Sequence, residues 1–183
     1  MKNIPLLIMD RFERVPPAID GVIGWPELSR MVIELDGKRK TITLRPSYRE
    51  ERGPKNLFWI GVPVISVMGG EPREIMLFCF DSMAHNVFFN ENGLEKTNAE
   101  KVGKSRTDVI GLVGKKNKRC DVINLSGLFI DGSEFVFNNH INDGAQASFS
   151  GSCGVIGSLI AQAGKVRINY PEGRLVFEPY PSE

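Results

Sequence analysis

Cysteine and histidine are scarce in this 183-residue chain: three of the first (Cys79, Cys120, Cys153) and two of the second (His85, His140). An odd number of cysteines with no CxxC pair indicates neither a disulfide framework nor a zinc ribbon. Two histidines are too few for a His-rich metal site. No run approaches the ~18 consecutive apolar residues that a spanning helix needs, so no membrane span is expected. Charge of one sign is missing too, since 23 Lys and Arg stand against 22 Asp and Glu. A net charge of +1 offers no electrostatic footprint for nucleic acid or an anionic membrane surface. The opening residues Met1 to Asp10 lack the long apolar region and cleavage site of a secretory signal. Compartment stays open, because the chain reads as one that begins inside a domain.

What is present fits a globular protein. Apolar residues make up 42% and charged residues 25% of the chain. A chain of this length buries roughly 70% of its unfolded surface, enough for a core without cross-links.

The local pattern is β. Val32 to Leu35 and Thr41 to Leu44 are β-rich runs around Asp36-Gly37-Lys38-Arg39-Lys40, which predicts a hairpin with its turn chemistry at Asp-Gly. Met76 to Phe80 is a continuous apolar run suited to a strand buried on both faces. Leu128 to Ile130 and Glu134 to Phe137 flank Asp131-Gly132-Ser133, a second hairpin. Val166 to Tyr170 and Arg174 to Phe177 alternate around Pro171-Glu172-Gly173, a third. Only Pro26 to Arg30 and Ser158 to Ala163 read as helical, and both are short. Many short strands with regular turns predict an all-β barrel or sandwich. Residues 45–56 hold two prolines, Gly53 and six charged side chains, the composition of an exposed loop. They suggest a division into 1–46, a linker at 47–56, and 57–183.

An internal repeat organises these pieces. Gly21-Val22-Ile23-Gly24 precedes a short helical stretch, the strand from Val32 and the strand from Thr41. Gly154-Val155-Ile156-Gly157 precedes the same series, with strands from Val166 and Arg174. The tetrapeptides lie 154 − 21 = 133 positions apart and the following strands 166 − 32 = 134. A four-residue match alone is chance-level; four elements in one order at near-constant offset are not.

With those elements in place the chain resembles the retropepsin-like and pepsin-like aspartic proteases, in particular the bacterial two-lobed members. Each lobe of that family carries an apolar strand ending in Asp-Thr/Ser-Gly-Ala. Later comes an apolar pair with Gly, a short helix and a final hairpin. Ile19-Asp20-Gly21-Val22-Ile23-Gly24-Trp25 and Cys153-Gly154-Val155-Ile156-Gly157 look like the second signature. Phe78-Cys79-Phe80-Asp81-Ser82-Met83-Ala84 looks like the first, with Met83 where the family has Gly. Val109 to Gly114 and Lys118 to Ile123 resemble the family's flap-like hairpin, and Leu128 to Phe135 the turn that follows it. The resemblance implies a closed, barrel-like β lobe over 57–183, preceded by the second half of another lobe over 1–46. The matching first Asp would fall at 81 − 133 = −52, before Met1.

The chemistry implied is water activation by two carboxylates sharing one proton, whose like charges split their apparent pKa values. Asp81 would be one of the pair, and Ser82 would brace its loop through a hydroxyl hydrogen bond. Met83 and Ala84 would lie beside the bound peptide. The second carboxylate would come from an upstream part or from a second copy across a two-fold axis. The implied activity is an aspartic endopeptidase acting on polypeptide. The alternative is a non-catalytic, peptide-binding relative, motivated by Met83 and the missing first Asp. Strands before residue 44 would expose unpaired edges, which predicts a homodimer or strand-exchanged oligomer.

Other residues carry weaker signals. Lys115 to Arg119 reads as a solvated basic hairpin tip. Gly111 to Lys116 lacks the spacing of a phosphate loop. Cys153 is expected to be a small residue in a tight loop rather than a nucleophile. Asp20 is expected to be structural, and Trp25 and Trp59 to be packing residues.

Overall fold

The computed structural model describes residues 25–46, 53–70, 72–82, 84, 86–97, 99–111, 114–135, 137–142 and 149–181, with the backbone alone described at 25–26, 107–111, 114–118 and 137–142. The Gly21 to Gly24 signature, Asp20, Met83 and His85 lie outside the described residues.

The elements in chain order are α1 (Trp25–Leu28), β1 (Met31–Asp36), β2 (Thr41–Pro46), β3 (Leu57–Trp59), β4 (Pro63–Gly69), β5 (Glu74–Asp81) and β6 (Val87–Phe89). They continue with α2 (Glu91–Glu95), β7 (Glu100–Gly111), β8 (Gly114–Leu125), β9 (Phe129–Ile130), β10 (Ser133–Glu134) and β11 (Phe137–Asn142). The last are β12 (Gly154–Gly157), α3 (Ile160–Ala163), β13 (Gly164–Asn169) and β14 (Arg174–Pro179). Strands dominate the described residues, in keeping with the expected mostly-β class. Both predicted helical stretches are present, each shortened to four residues.

Two sheets form. The smaller has four strands in the order β14-β13-β1-β2. The larger has ten, running β10-β9-β4-β5-β12-β6-β11-β8-β7, with β3 paired to β4 off that path. It curls strongly, six of its strands making a half-barrel. All ladders are antiparallel except β5 with β12 and β6 with β11. Met76, Phe78, Cys79 and Phe80 of β5 are all buried, as the continuous apolar run predicts for a strand covered on both faces. Phe78 packs edge-on against Phe89, and Phe135 edge-on against Phe177, so the aromatic core runs from the curled sheet to β14.

The repeat reappears as geometry. In the first hairpin Met31 pairs with Pro46 and Asp36 with Thr41. In the last, Gly164 pairs with Pro179 and Asn169 with Arg174, the same pairs shifted by 133. The turns match as well. Asp36 accepts the backbone N–H of Arg39 at 3.0 Å, and Asn169 that of Glu172 at 3.2 Å. Lys40 (φ 54°) and Gly173 (φ 66°), again 133 apart, both close their turns in the left-handed region.

Several local expectations change. The first hairpin forms as expected, with four residues between Asp36 and Thr41, and Gly37 is not among its positive-φ residues. Gly37 serves close approach instead, donating its N–H to Ala161 O at 3.0 Å where a Cβ would collide with that oxygen. In the second hairpin the turn is Asp131-Gly132, both at positive φ, the two-residue geometry suited to strand twist. Its second arm ends at Glu134, and Phe137 belongs to β11. Lys115 to Arg119 lie along β8 rather than at the tip of the β7–β8 hairpin, which falls between Gly111 and Gly114. Within the proposed linker, Gly53 to Lys55 are exposed but Asn56 is buried. Its amide gives and receives 2.8 Å hydrogen bonds with the backbone of Leu175, tying the two sheets together.

Candidate active site

Asp81 stands at the C-terminal end of β5, where the strand leaves the core and the side chain becomes exposed. The chain then turns: Ala84 N–H donates to Asp81 O at 3.0 Å, and the backbone re-enters as β6. Between β5 and β6 lies β12. It runs parallel to β5, with Gly154 opposite Phe78 and Gly157 opposite Asp81. On its other side it runs antiparallel to β6, with Gly154 opposite Phe89. The two signatures picked out from the sequence thus meet side by side, in register.

The glycines of Gly154-Val155-Ile156-Gly157 have separate physical reasons. Gly154 adopts φ +151°, and a Cβ there would collide with Phe88 O. A Cβ on Gly157 would collide with the carbonyl oxygens of Ala84 and Asn86. Ser158 completes the grip, donating N–H (2.7 Å) and Oγ (3.1 Å) to Ala84 O. Val155 and Ile156 between them are buried.

The entry to β12 is pinned from α2. Asn90, its N-cap, accepts Gly93 N–H at 2.9 Å and donates its side-chain N–H to Ser152 O at 2.8 Å. Cys153 is buried there, and Asn92 Nδ2 donates to its Sγ at 3.6 Å. Burial pushes the Cys153 thiol pKa up, outweighing the backbone hydrogen bond at Leu77, and a raised pKa disfavours the thiolate that nucleophilic work requires. This agrees with a packing role.

Asp81 and Ser82 face an open pocket of about 280 Å³ whose walls include Leu28 of α1, Trp59 and Val62 near the β3–β4 turn, and Tyr170 after β13. Asp81 is the one carboxylate among the described residues lining it. Trp59, expected to be a packing residue, is 46% exposed at the mouth. Burial pushes the Tyr170 hydroxyl pKa up to about 12, so it stays a neutral proton donor throughout the physiological range. Ala84 holds the loop through its carbonyl, as described. Neither Tyr170 nor Trp59 carries a sequence signal for this pocket: Tyr170 reaches it through the packing of one sheet on the other, and Trp59 through the pairing of β3 with β4 beside β5. The β7–β8 hairpin contributes no described residue to the lining.

Among the described residues no group of three or more His, Cys, Asp or Glu side chains is placed to hold a metal ion, and no helix is long and apolar enough to cross a membrane. No protein-family model and no curated protein matches this chain.

Proposed function

We propose that the chain is an aspartic endopeptidase, or the Asp81-bearing part of one, that cleaves polypeptide bound in extended form. The observation that carries this reading is the register of β12 against β5, with Gly157 opposite Asp81 and the Asp81–Ala84 turn gripped by Ser158. The exact 133-residue match of the two hairpins supports descent of the small sheet from two equivalent lobes. Under this reading the half-barrel belongs to a closed lobe, and the resemblance to retropepsin-like and pepsin-like proteases extends to the chemistry.

One carboxylate cannot do that chemistry alone. Asp81 shares a proton with a second carboxylate held close by; the ionised member takes a proton from water as it attacks the scissile carbonyl. The protonated member donates to the carbonyl oxygen, and no metal or organic cofactor takes part. Ser82 lies beside Asp81 at the pocket, and the resemblance assigns Met83 and Ala84 to contact with the bound peptide. Near-zero net charge offers no footprint for nucleic acid, and the resemblance implies polypeptide as the substrate.

A second reading, a peptide-binding relative without catalysis, is favoured by the single carboxylate among the described pocket residues. One assay separates the two. In the assembled protein, Asp81→Asn is expected to lower peptide cleavage by about 1,000-fold, about 4 kcal/mol of transition-state stabilisation, with peptide binding retained. Unchanged cleavage overturns the peptidase reading, and binding without any cleavage by the unsubstituted protein establishes the alternative.

A further inference from the structure

Charge is balanced over the chain but not along it. Residues 100–125, which fold as β7 and β8 with their turn, hold seven of the 23 Lys and Arg and three of the 22 Asp and Glu. The hairpin therefore carries 7 − 3 = +4, and the rest of the chain 16 − 19 = −3. A basic arm on an otherwise acidic molecule concentrates positive potential in one place.

The ladders place the two faces of that arm. Cys79 lies opposite Val155, Val155 opposite Phe88, Phe88 opposite Ile141, and Ile141 opposite Val122. Directly opposed residues share a face, and so do residues two apart along a strand. Asp81 and Cys79 on β5 thus share one face of the curled sheet with Val122 and Cys120 on β8. Cys79, Phe88, Cys120 and Val155 pack there as one buried cluster, with Val62 and Ala84 against it. Cys79 and Val62 also line the Asp81 pocket, so the cluster is a floor running from the pocket to the root of the hairpin. From Cys120 toward the turn, alternation puts Lys118 and Lys116 on this face, with Thr107 and Val109 opposite them on β7. Arg119, paired with Arg106, falls on the other face, where Asp108 and Asp121 dilute the charge. Between Cys120 and the turn, the positions on the pocket face include two lysines and no carboxylate.

We propose that Lys116 and Lys118 select an acidic polypeptide, meeting its Asp or Glu side chains while neighbouring residues of the same peptide reach Asp81. This rests on the reading of the pocket as a peptide site, and it holds for the catalytic and the binding form of that reading alike. Two positions apart on one strand is about 7 Å, which is also the spacing of alternate residues in an extended peptide. A peptide lying along the hairpin therefore meets one cation with every second side chain. Lysine carries its charge on a flexible stem, which suits carboxylates presented at varied heights. A nucleic acid, with a phosphate at every nucleotide, would meet only two cations before the row ends at buried Cys120.

The test measures binding to the full chain by fluorescence anisotropy, using three labelled peptides with one shared apolar centre and Glu, Gln or Lys at alternate flanking positions. The Glu peptide is expected to bind about ten-fold more tightly than the Gln peptide, an advantage that shrinks to about two-fold near 0.5 M salt. Lys116→Glu/Lys118→Glu is expected to transfer the preference to the Lys peptide. Arg119→Glu, on the opposite face, is expected to leave the ranking unchanged. Equal binding of the Glu and Gln peptides by the unsubstituted protein overturns the proposal, whatever the variants do. So does an Arg119→Glu effect as large as that of the double variant, which would assign the preference to net charge rather than to one face. Displacement of the Glu peptide by an equal concentration of an oligothymidylate also overturns it, since the site would then read polyanions. Mass spectrometry of the incubated peptides separates this proposal from the reading beneath it. Cleavage of the Glu and Gln peptides at equal rates and affinities keeps the peptidase and removes the acidic preference. A Glu peptide bound tightly but left intact supports the acidic preference and removes the peptidase.

Discussion

Asp36 and Asn169 occupy equivalent turn positions, and both are buried polar residues whose side chains replace a missing backbone partner. That substitution is why the turns tolerate four-residue loops without orphaned N–H groups. Gly157 works at the same scale by having no side chain, since β12 can lie against the Asp81–Ala84 turn only at that separation. Gly157→Ala is expected to cost about 3 kcal/mol, because the obstacle is backbone carbonyl rather than a side chain that can rotate away. Chemical denaturation checks this, and a loss under about 0.5 kcal/mol, the range of neutral surface changes, would show that the grip is looser than the contacts indicate.

At the scale of elements, the hairpins β1–β2 and β13–β14 share register and turn but differ at the left-handed position, with Lys40 in one and Gly173 in the other. A side chain in that conformation costs about 1 kcal/mol relative to glycine, offset in part by the entropy glycine loses on folding. Lys40→Gly is therefore expected to stabilise the protein by about 0.5 kcal/mol. Gly173→Ala is expected to destabilise it by about 1–2 kcal/mol, as a Cβ there would press on Leu57 O at 3.1 Å. Opposite signs at equivalent positions, read by thermal unfolding, test the equivalence itself. The hairpins were legible from β-rich runs around turn residues, and their offset from the two Gly-x-x-Gly segments. The strands β3, β4, β6 and β11 were not, because their pairing is decided by partners far along the chain. The role of Gly37 was not legible for a related reason: it answers to Ala161, 124 residues away, rather than to its own loop.

At the scale of the molecule, several contacts join the start of the small sheet to the chain's last turns. Asp36 accepts hydrogen bonds from Arg39 N–H and, at 2.8 Å, from Tyr180 OH, with Lys165 and Arg39 nearby. The Arg39 backbone bond first, then Tyr180, hold its pKa below the usual 3.8 against the opposing effect of burial. A depressed folded-state pKa gives stability that is present above 3.8 and lost as pH falls through the lower folded value. The melting temperature is thus expected to drop below about pH 4 and to drop less in Asp36→Asn. Equal acid sensitivity in both proteins would assign the loss to other carboxylates.

Composition and local pattern determined that the chain is mostly β, that it repeats, and that Asp81 ends a buried strand, because alternation, turn residues and apolar runs act over a few neighbours. Only the tertiary structure decided that β12 slides between β5 and β6, that Tyr170 and Trp59 reach the Asp81 pocket, and that Ile42 and Leu44 stay uncovered where Leu175 and Phe177 are buried. Each of these depends on which surfaces meet across a hundred residues, and a side chain's burial belongs to its neighbours in space rather than to its neighbours in the chain.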